Sequence, residues 1–216
     1  MRRRFISGIS MTHPYDYNNY LTIEALEDGL QVMLNDDAYY GIDGFGWVKL
    51  AGRVDSPIIN KGHYISFKVD QYVKGNRFLK ISKKCRLTGN CLSMIFGDDS
   101  TGKTSIADYE YAFDSYFMNN ENIIDVSDRF LPATTLASYC YRSMFSGCKS
   151  LTKTPELPAT VLADGCYEHM FSNCQCIVNA PVLPATTLTY GCYKMMFHNC
   201  TILISAPVLP ATTLAG

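Results

Sequence analysis

Residues 131–156 read LPATTLASYCYRSMFSGCKSLTKTPE, residues 157–182 read LPATVLADGCYEHMFSNCQCIVNAPV, and residues 183–208 read LPATTLTYGCYKMMFHNCTILISAPV. A fourth copy starts at Leu209. The offset is 26 residues each time, with no insertion between Leu131 and Leu209. A fixed period of this length predicts stacked units, each burying its apolar face only against its neighbours.

Within each unit the apolar residues follow a helical spacing. The set Leu136, Cys140, Tyr141, Met144, Phe145 and Cys148 recurs as Leu162, Cys166, Tyr167, Met170, Phe171 and Cys174, then as Leu188, Cys192, Tyr193, Met196, Phe197 and Cys200. This spacing predicts one stripe of a short helix facing a core. Gly147, Asn173 and Asn199 follow each Phe by two residues, and these types best tolerate the left-handed conformation that closes a helix. Short extended runs are expected at 151–154, 177–180 and 203–206. They end at Pro155, Pro181 and Pro207, because proline cannot donate to a sheet ladder.

The motif C-Y-x-x-M-F-x-[GN]-C followed by A-P-x-L-P-A-T resembles the BspA-like leucine-rich repeat family of bacterial surface proteins. It is most similar to a branch with 26-residue repeats found in gut-anaerobe surface proteins and their phages. The resemblance covers 131–216 closely and the preceding residues more loosely. It implies a curved, right-handed leucine-rich-repeat solenoid of short strands and short helices. It also implies a role in adhesion or recognition and brings no catalytic residues.

Ahead of the repeats, YLTIEAL, LQVMLN, AYYGI, WVKL, HYISFKV and FLKI are short runs rich in β-branched and aromatic residues. Turn signals such as Asp43-Gly44 and Lys61-Gly62 separate them. Short strands at roughly ten-residue spacing predict an antiparallel, immunoglobulin-like β-sandwich. The fold class expected is thus α+β. Its parts are a flexible terminus (1–13), the sandwich (14–80), a connecting β segment with a degenerate capping repeat (81–130) and the solenoid (131–216). In the capping repeat Ala112, Phe113, Ser115, Tyr116 and Phe117 stand where the first regular unit has Cys140, Tyr141, Ser143, Met144 and Phe145, and Asn120 takes the place of Cys148. YYGIDGFGWVKL, holding the only tryptophan, resembles the stretch that often precedes these repeats. Trp47 is read as a core or hairpin residue, the alternative being a carbohydrate platform.

A formal net charge of −1 with 18% charged residues gives no electrostatic reason to expect nucleic acid as a partner. No run of about 18 apolar residues exists, so no membrane span is expected. MRRRFISGISMTHPYDY starts basic but lacks the apolar stretch of a signal peptide. A signal outside this chain, or exit by a route such as phage lysis, is expected instead. Six of the nine cysteines recur at the repeat period and read as small buried hydrophobes, a ladder of disulfides being the sharper alternative. No cysteine spacing makes a metal site, and neither metal nor cofactor is expected.

Gly97-Asp98-Asp99-Ser100-Thr101-Gly102-Lys103-Thr104 satisfies the Walker A pattern. It reads as chance, because two carboxylates would face a triphosphate and no room remains for a parallel α/β sheet. LPATT lacks the glycine of a sortase signal and reads as a structural corner. No paired acids, Ser/His/Asp set or Cys/His pair supports an enzyme. The expected binding surface is the outward strand row: Thr152, Lys153, Glu156, Val178, Asn179, Val182, Ile204, Ser205 and Val208. The core ladder is Cys140, Met144, Phe145, Cys148, Cys166, Met170, Phe171, Cys174, Cys192, Met196, Phe197 and Cys200. The function expected is non-catalytic recognition or adhesion toward a protein or glycan at a bacterial, extracellular surface. A phage tail or virion receptor-binding component and a passive scaffold are the alternatives. The last unit stops before its helix, so self-association or a missing continuation is expected at that end.

Overall fold

A computed structural model of the chain describes residues 16–75 and 78–214, and the terminus expected to be flexible (1–13) lies outside them. Six strands form the main sheet: β1 (Leu21–Ala25), β3 (Ala38–Ile42), β4 (Phe45–Leu50), β5 (Tyr64–Lys68), β7 (Cys85–Gly89) and β8 (Ile123–Val126). Their order is β4-β3-β5-β1-β7-β8, and β2 (Val32–Leu34) pairs with β6 (Leu79–Ile81) apart from them. The β3–β4 hairpin turns at Asp43-Gly44, whose φ angles of 52° and 80° suit a tight two-residue connection. Alternation sets the faces: along β7, Cys85, Leu87 and Gly89 are buried while Arg86 and Thr88 are half-exposed.

This arrangement corrects the immunoglobulin-like sandwich. The short strands and their turns are present, but among the described residues no second antiparallel sheet of comparable size closes over the first. The sheet is instead extended by β8, which belongs to the degenerate repeat and joins β7 in parallel, with Cys85 opposite Ile123 and Leu87 opposite Val126. The strands at 85–89 and 123–126 thereby tie the segment between 81 and 130 into the sheet.

The second correction concerns the repeats. The single α-helix among the described residues is Ser93–Phe96, before the repeats begin, so the helix-containing leucine-rich-repeat solenoid does not form. Residues 138–147 are a run of turns. The N–H groups of Arg142, Met144, Ser146 and Cys148 donate to the carbonyls three residues back, at 3.0–3.3 Å. The alternate N–H groups, those of Tyr141, Ser143, Phe145 and Gly147, donate instead to Cys166, Glu168, Met170 and Ser172 in the next unit, at 2.8–3.0 Å. Every fourth residue has positive φ: 139, 143 and 147, then 165, 169 and 173, then 191, 195 and 199. An α-helix keeps its amides within the segment and cannot pass through repeated left-handed residues. Half of the amides here serve the neighbouring unit, so the units are zipped together along their turns. Gly147, Asn173 and Asn199 do take left-handed φ, of 74°, 60° and 58°, but as members of this series and not as helix ends. The expected extended runs shrink to bridges of Asp125 with Lys153 and of Asn179 with Ser205, while β9 (Thr187–Leu188) pairs in parallel with β10 (Thr213–Leu214).

Side chains stack in the same sense. Phe117, Phe145, Phe171 and Phe197 form one column, with centroids 5.4–5.8 Å apart and planes within 15° of parallel. Phe113, Tyr141, Tyr167 and Tyr193 form a second, at 5.7–5.9 Å. Offset stacks of this kind add to the stabilisation from burial. Each Cys of the inner column donates its S–H to the ring residue's carbonyl one unit earlier: Cys148 to Phe117, Cys174 to Phe145 and Cys200 to Phe171, at 3.0–3.2 Å. All nine cysteines are free thiols.

The sheet and the stack share one core. Their joint is Asn120, which stands where later units have Cys148 and Cys174. Its buried amide donates to Leu79 O and Phe117 O and accepts from Ile81 N–H, binding β6 to the first run of turns.

Candidate recognition surface

After its turns each repeat runs through a short segment to Pro155, Pro181 or Pro207, and the outward row lies along it and on the residue that follows the proline. Thr152, Lys153, Glu156, Asn179, Val182, Ile204, Ser205 and Val208 are exposed and Val178 is half-buried. Val182, Ile204 and Val208 are 79%, 77% and 84% exposed, high for aliphatic side chains. Two of the row serve the fold: Thr152 donates through Oγ1 to Ile124 O, and Lys153 Nζ pairs with Asp128 at 3.0 Å.

Glu156 and Val182 line a cavity of about 390 Å³ with Asp128, Pro155, Pro158, Pro181 and Pro184. Asn179, Val182, Ser205 and Val208 line a second of about 250 Å³ with Pro181 and Pro207. Ala180, Pro181 and Val182 belong to both, so the two make one channel crossing successive units. Thr152, Lys153, Val178 and Ile204 do not line it. The channel is walled by proline and aliphatic groups, with Asp128, Thr154 and Glu156 toward one end, Asn179 and Ser205 toward the other, and no aromatic ring among its lining residues. Sequence reasoning took these prolines only as strand stops and corners. The signal for the channel was the recurring P-x-L-P spacing, which sets two fixed-φ rings on each unit.

The core ladder lies beneath this surface and the turns. Cys140, Met144, Phe145, Cys148, Cys166, Met170, Phe171, Cys174, Cys192 and Met196 are buried, while Phe197 and Cys200 at the last unit are half-buried. Burial pushes the thiols of Cys148 and Cys166 up to about 12, so at neutral pH both carry their protons.

The Walker-like loop follows the four-residue helix Ser93–Phe96 and not a strand of a parallel sheet. Lys103 Nζ sits 5.5 Å over the Phe96 ring, and Asp98 pairs with Lys68 and accepts from the Tyr20 hydroxyl. Trp47 is half-buried on β4. Its ring lies 4.6 Å from Lys68 Nζ and 4.7 Å from the Tyr20 ring, so it closes a small polar cluster at the sheet edge. Among the described residues no group of three His, Cys, Asp or Glu side chains could hold a metal ion. No helix among them is long and apolar enough to cross a membrane. No protein family, curated protein or solved structure matches the chain.

Proposed function

We propose that the protein is a non-catalytic recognition module that takes an extended polypeptide along the proline channel. The observation that carries this reading is the exposure of Val182 and Val208 in one row above buried columns. Exposed aliphatic groups in a concave strip gain free energy when covered, at about 25 cal/mol per Å². The rigid prolines beside them lose little entropy on binding. A channel without aromatic rings favours polypeptide over sugar among the protein and glycan partners that the BspA-like resemblance suggests. That resemblance also supports display on a bacterial surface or carriage on a virion.

Binding of labelled protein to gut-anaerobe cells tests the reading. Val182→Asp with Val208→Asp should lower cell binding at least about tenfold by placing charges in an apolar contact, whereas Lys194→Ala on the turn side should not. Protease treatment of the cells should abolish the signal. Unchanged binding by the double variant would sink the channel as the site, and protease-resistant binding would replace the polypeptide partner with a sugar.

A further inference from the structure

One row of the turns changes residue type partway along the stack. Positions 111, 139, 165 and 191 are equivalent in successive units, and all are left-handed, with φ of 57°, 55°, 58° and 62°. The last two are glycines, which adopt this backbone freely, whereas the first two are Tyr111 and Tyr139, for which it is strained. The two tyrosine rings stack with centroids 5.1 Å apart and planes 13° from parallel. Tyr139 in turn lies against Gly165, where a Cβ would run into its ring. Arg142 locks the pair: its guanidinium carbon is 5.4 Å from the Tyr111 ring and 5.2 Å from the Tyr139 ring. Its Nε and Nη2 donate to the two carboxylate oxygens of Asp114 at 3.1 and 2.6 Å. The rings are thus fixed before any ligand arrives, which spares the entropy of ordering them on binding. A cavity of about 480 Å³ opens beside them, lined by Lys74, Gly75, Tyr111, Asp114, Ser115 and Arg142. Tyr111 is 37% exposed.

We propose that this cavity is a second binding site, taking one hexopyranose ring of a glycan packed on Tyr111. The flat C–H face of a pyranose suits the face of a tyrosine, which offers a large apolar surface at little entropic cost. Charge selects a sugar over an ion. Lys74, Glu110, Asp114 and Arg142 stand at the cavity as two pairs of opposite sign, Lys74 Nζ 3.4 Å from Glu110 and Arg142 against Asp114. A phosphate, a carboxylate or an organic cation would meet an opposing charge beside each attractive one. A hydroxyl meets no such conflict, since it can donate to the Asp114 carboxylate and accept from Arg142 or Lys74. Gly165 and Gly191 give the later units no matching ring, so the platform is built once in the stack. The cavity shares no residue with the proline channel. One sugar ring held this way binds at about 1–10 mM, too weak to account for attachment to a cell, so either site can fail without the other.

Proton–nitrogen correlation spectra of the full chain, under reducing conditions, read the site residue by residue. The probes are the methyl glycosides of glucose, galactose, mannose and N-acetylglucosamine, each titrated to about 50 mM, several times the expected Kd. At least one should shift the amides of Tyr111, Ser115 and Arg142 saturably, and leave those of Val182 and Val208 in place. Tyr111→Gly sets at 111 the residue that the later units carry at 165 and 191, so it should keep the fold while weakening binding at least about tenfold. Tyr111→Phe should bind within about threefold of the parent, because the face of the ring and not its hydroxyl makes the contact. Absence of a saturable shift at these amides with all four glycosides would overturn the inference. So would undiminished binding by Tyr111→Gly, or equal shifts from inorganic phosphate or tetramethylammonium, either of which would mark a charged ligand in place of a sugar.

Discussion

At Gly147 two requirements meet: its φ is 74°, and a Cβ built there would run into Asn119 Oδ1. The equivalent positions in the other units are Asn119, Asn173 and Asn199, and Asn199 Nδ2 donates to Asn173 Oδ1 at 2.9 Å. A column of amides thus runs along the stack and is broken only at this glycine. Gly147→Ala adds a methyl group to a left-handed backbone and gives nothing back, so it should destabilise by about 1–3 kcal/mol. Gly147→Asn meets the same crowding, but asparagine tolerates this φ and can bond to Asn119 and Asn173. It should therefore lose clearly less. Urea unfolding of both variants checks the order, and an alanine variant as stable as the asparagine one would contradict it.

At the scale of the element, the turn run explains what the sequence could and could not tell. The period, the ladder residues and the alignment of the degenerate unit were all legible, and Phe113 and Phe117 take the ring places assigned to them. That the units form turns and not the expected helix was not legible, because the apolar spacing is strictly four. Four residues overshoot one helical turn by only about 40°, so three repeats of the step still fit one broad stripe. What separates the two structures is backbone φ, and of the left-handed positions in the three regular units only Gly147, Gly165, Gly191, Asn173 and Asn199 announce themselves; Tyr139, Ser143, His169 and Met195 do not. The channel was half legible, since Glu156, Asn179, Val182, Ser205 and Val208 were placed in the outward row but their proline walls were not.

The same element carries a pH dependence. Burial raises the Cys148 and Cys166 thiols to about 12, well above their value in an unfolded chain. The folded state then holds protons that the unfolded state releases above about pH 8.5. Stability from this source is complete below that value and is lost as pH rises toward 12. The urea midpoint should be flat from pH 6 to 8 and fall above pH 9, by an amount of the order of 1 kcal/mol per pH unit for each fully buried thiol. Cys148→Ala should be less stable at pH 7 yet show a shallower alkaline decline. An alkaline slope that this substitution leaves unchanged would rule the thiol out as its source.

For the whole molecule, the sheet seals the first unit of the stack, whereas among the described residues the rings of the last full unit are covered on one side only, so equal side chains should matter unequally along it. Phe145 is fully buried between Phe117 and Phe171, whereas Phe197 is stacked only on Phe171 and is half-buried. Removing the ring of Phe145 leaves a cavity that two neighbouring units cannot close, and should cost about 3–5 kcal/mol. The core is continuous from the sheet through the stack, so this loss should lower the single unfolding transition of the entire chain. Phe197→Ala deletes one contact at a partly wet site and should cost less than half as much. Its effect should also be local, because each unit contacts only its immediate neighbours and two units lie between this one and the sheet's joint with the stack. Amide exchange should speed up from about residue 187 onward and stay unchanged in β1, β5 and β7. If Phe197→Ala instead loosened the sheet as much as Phe145→Ala does, the chain would be coupled throughout and not held unit by unit.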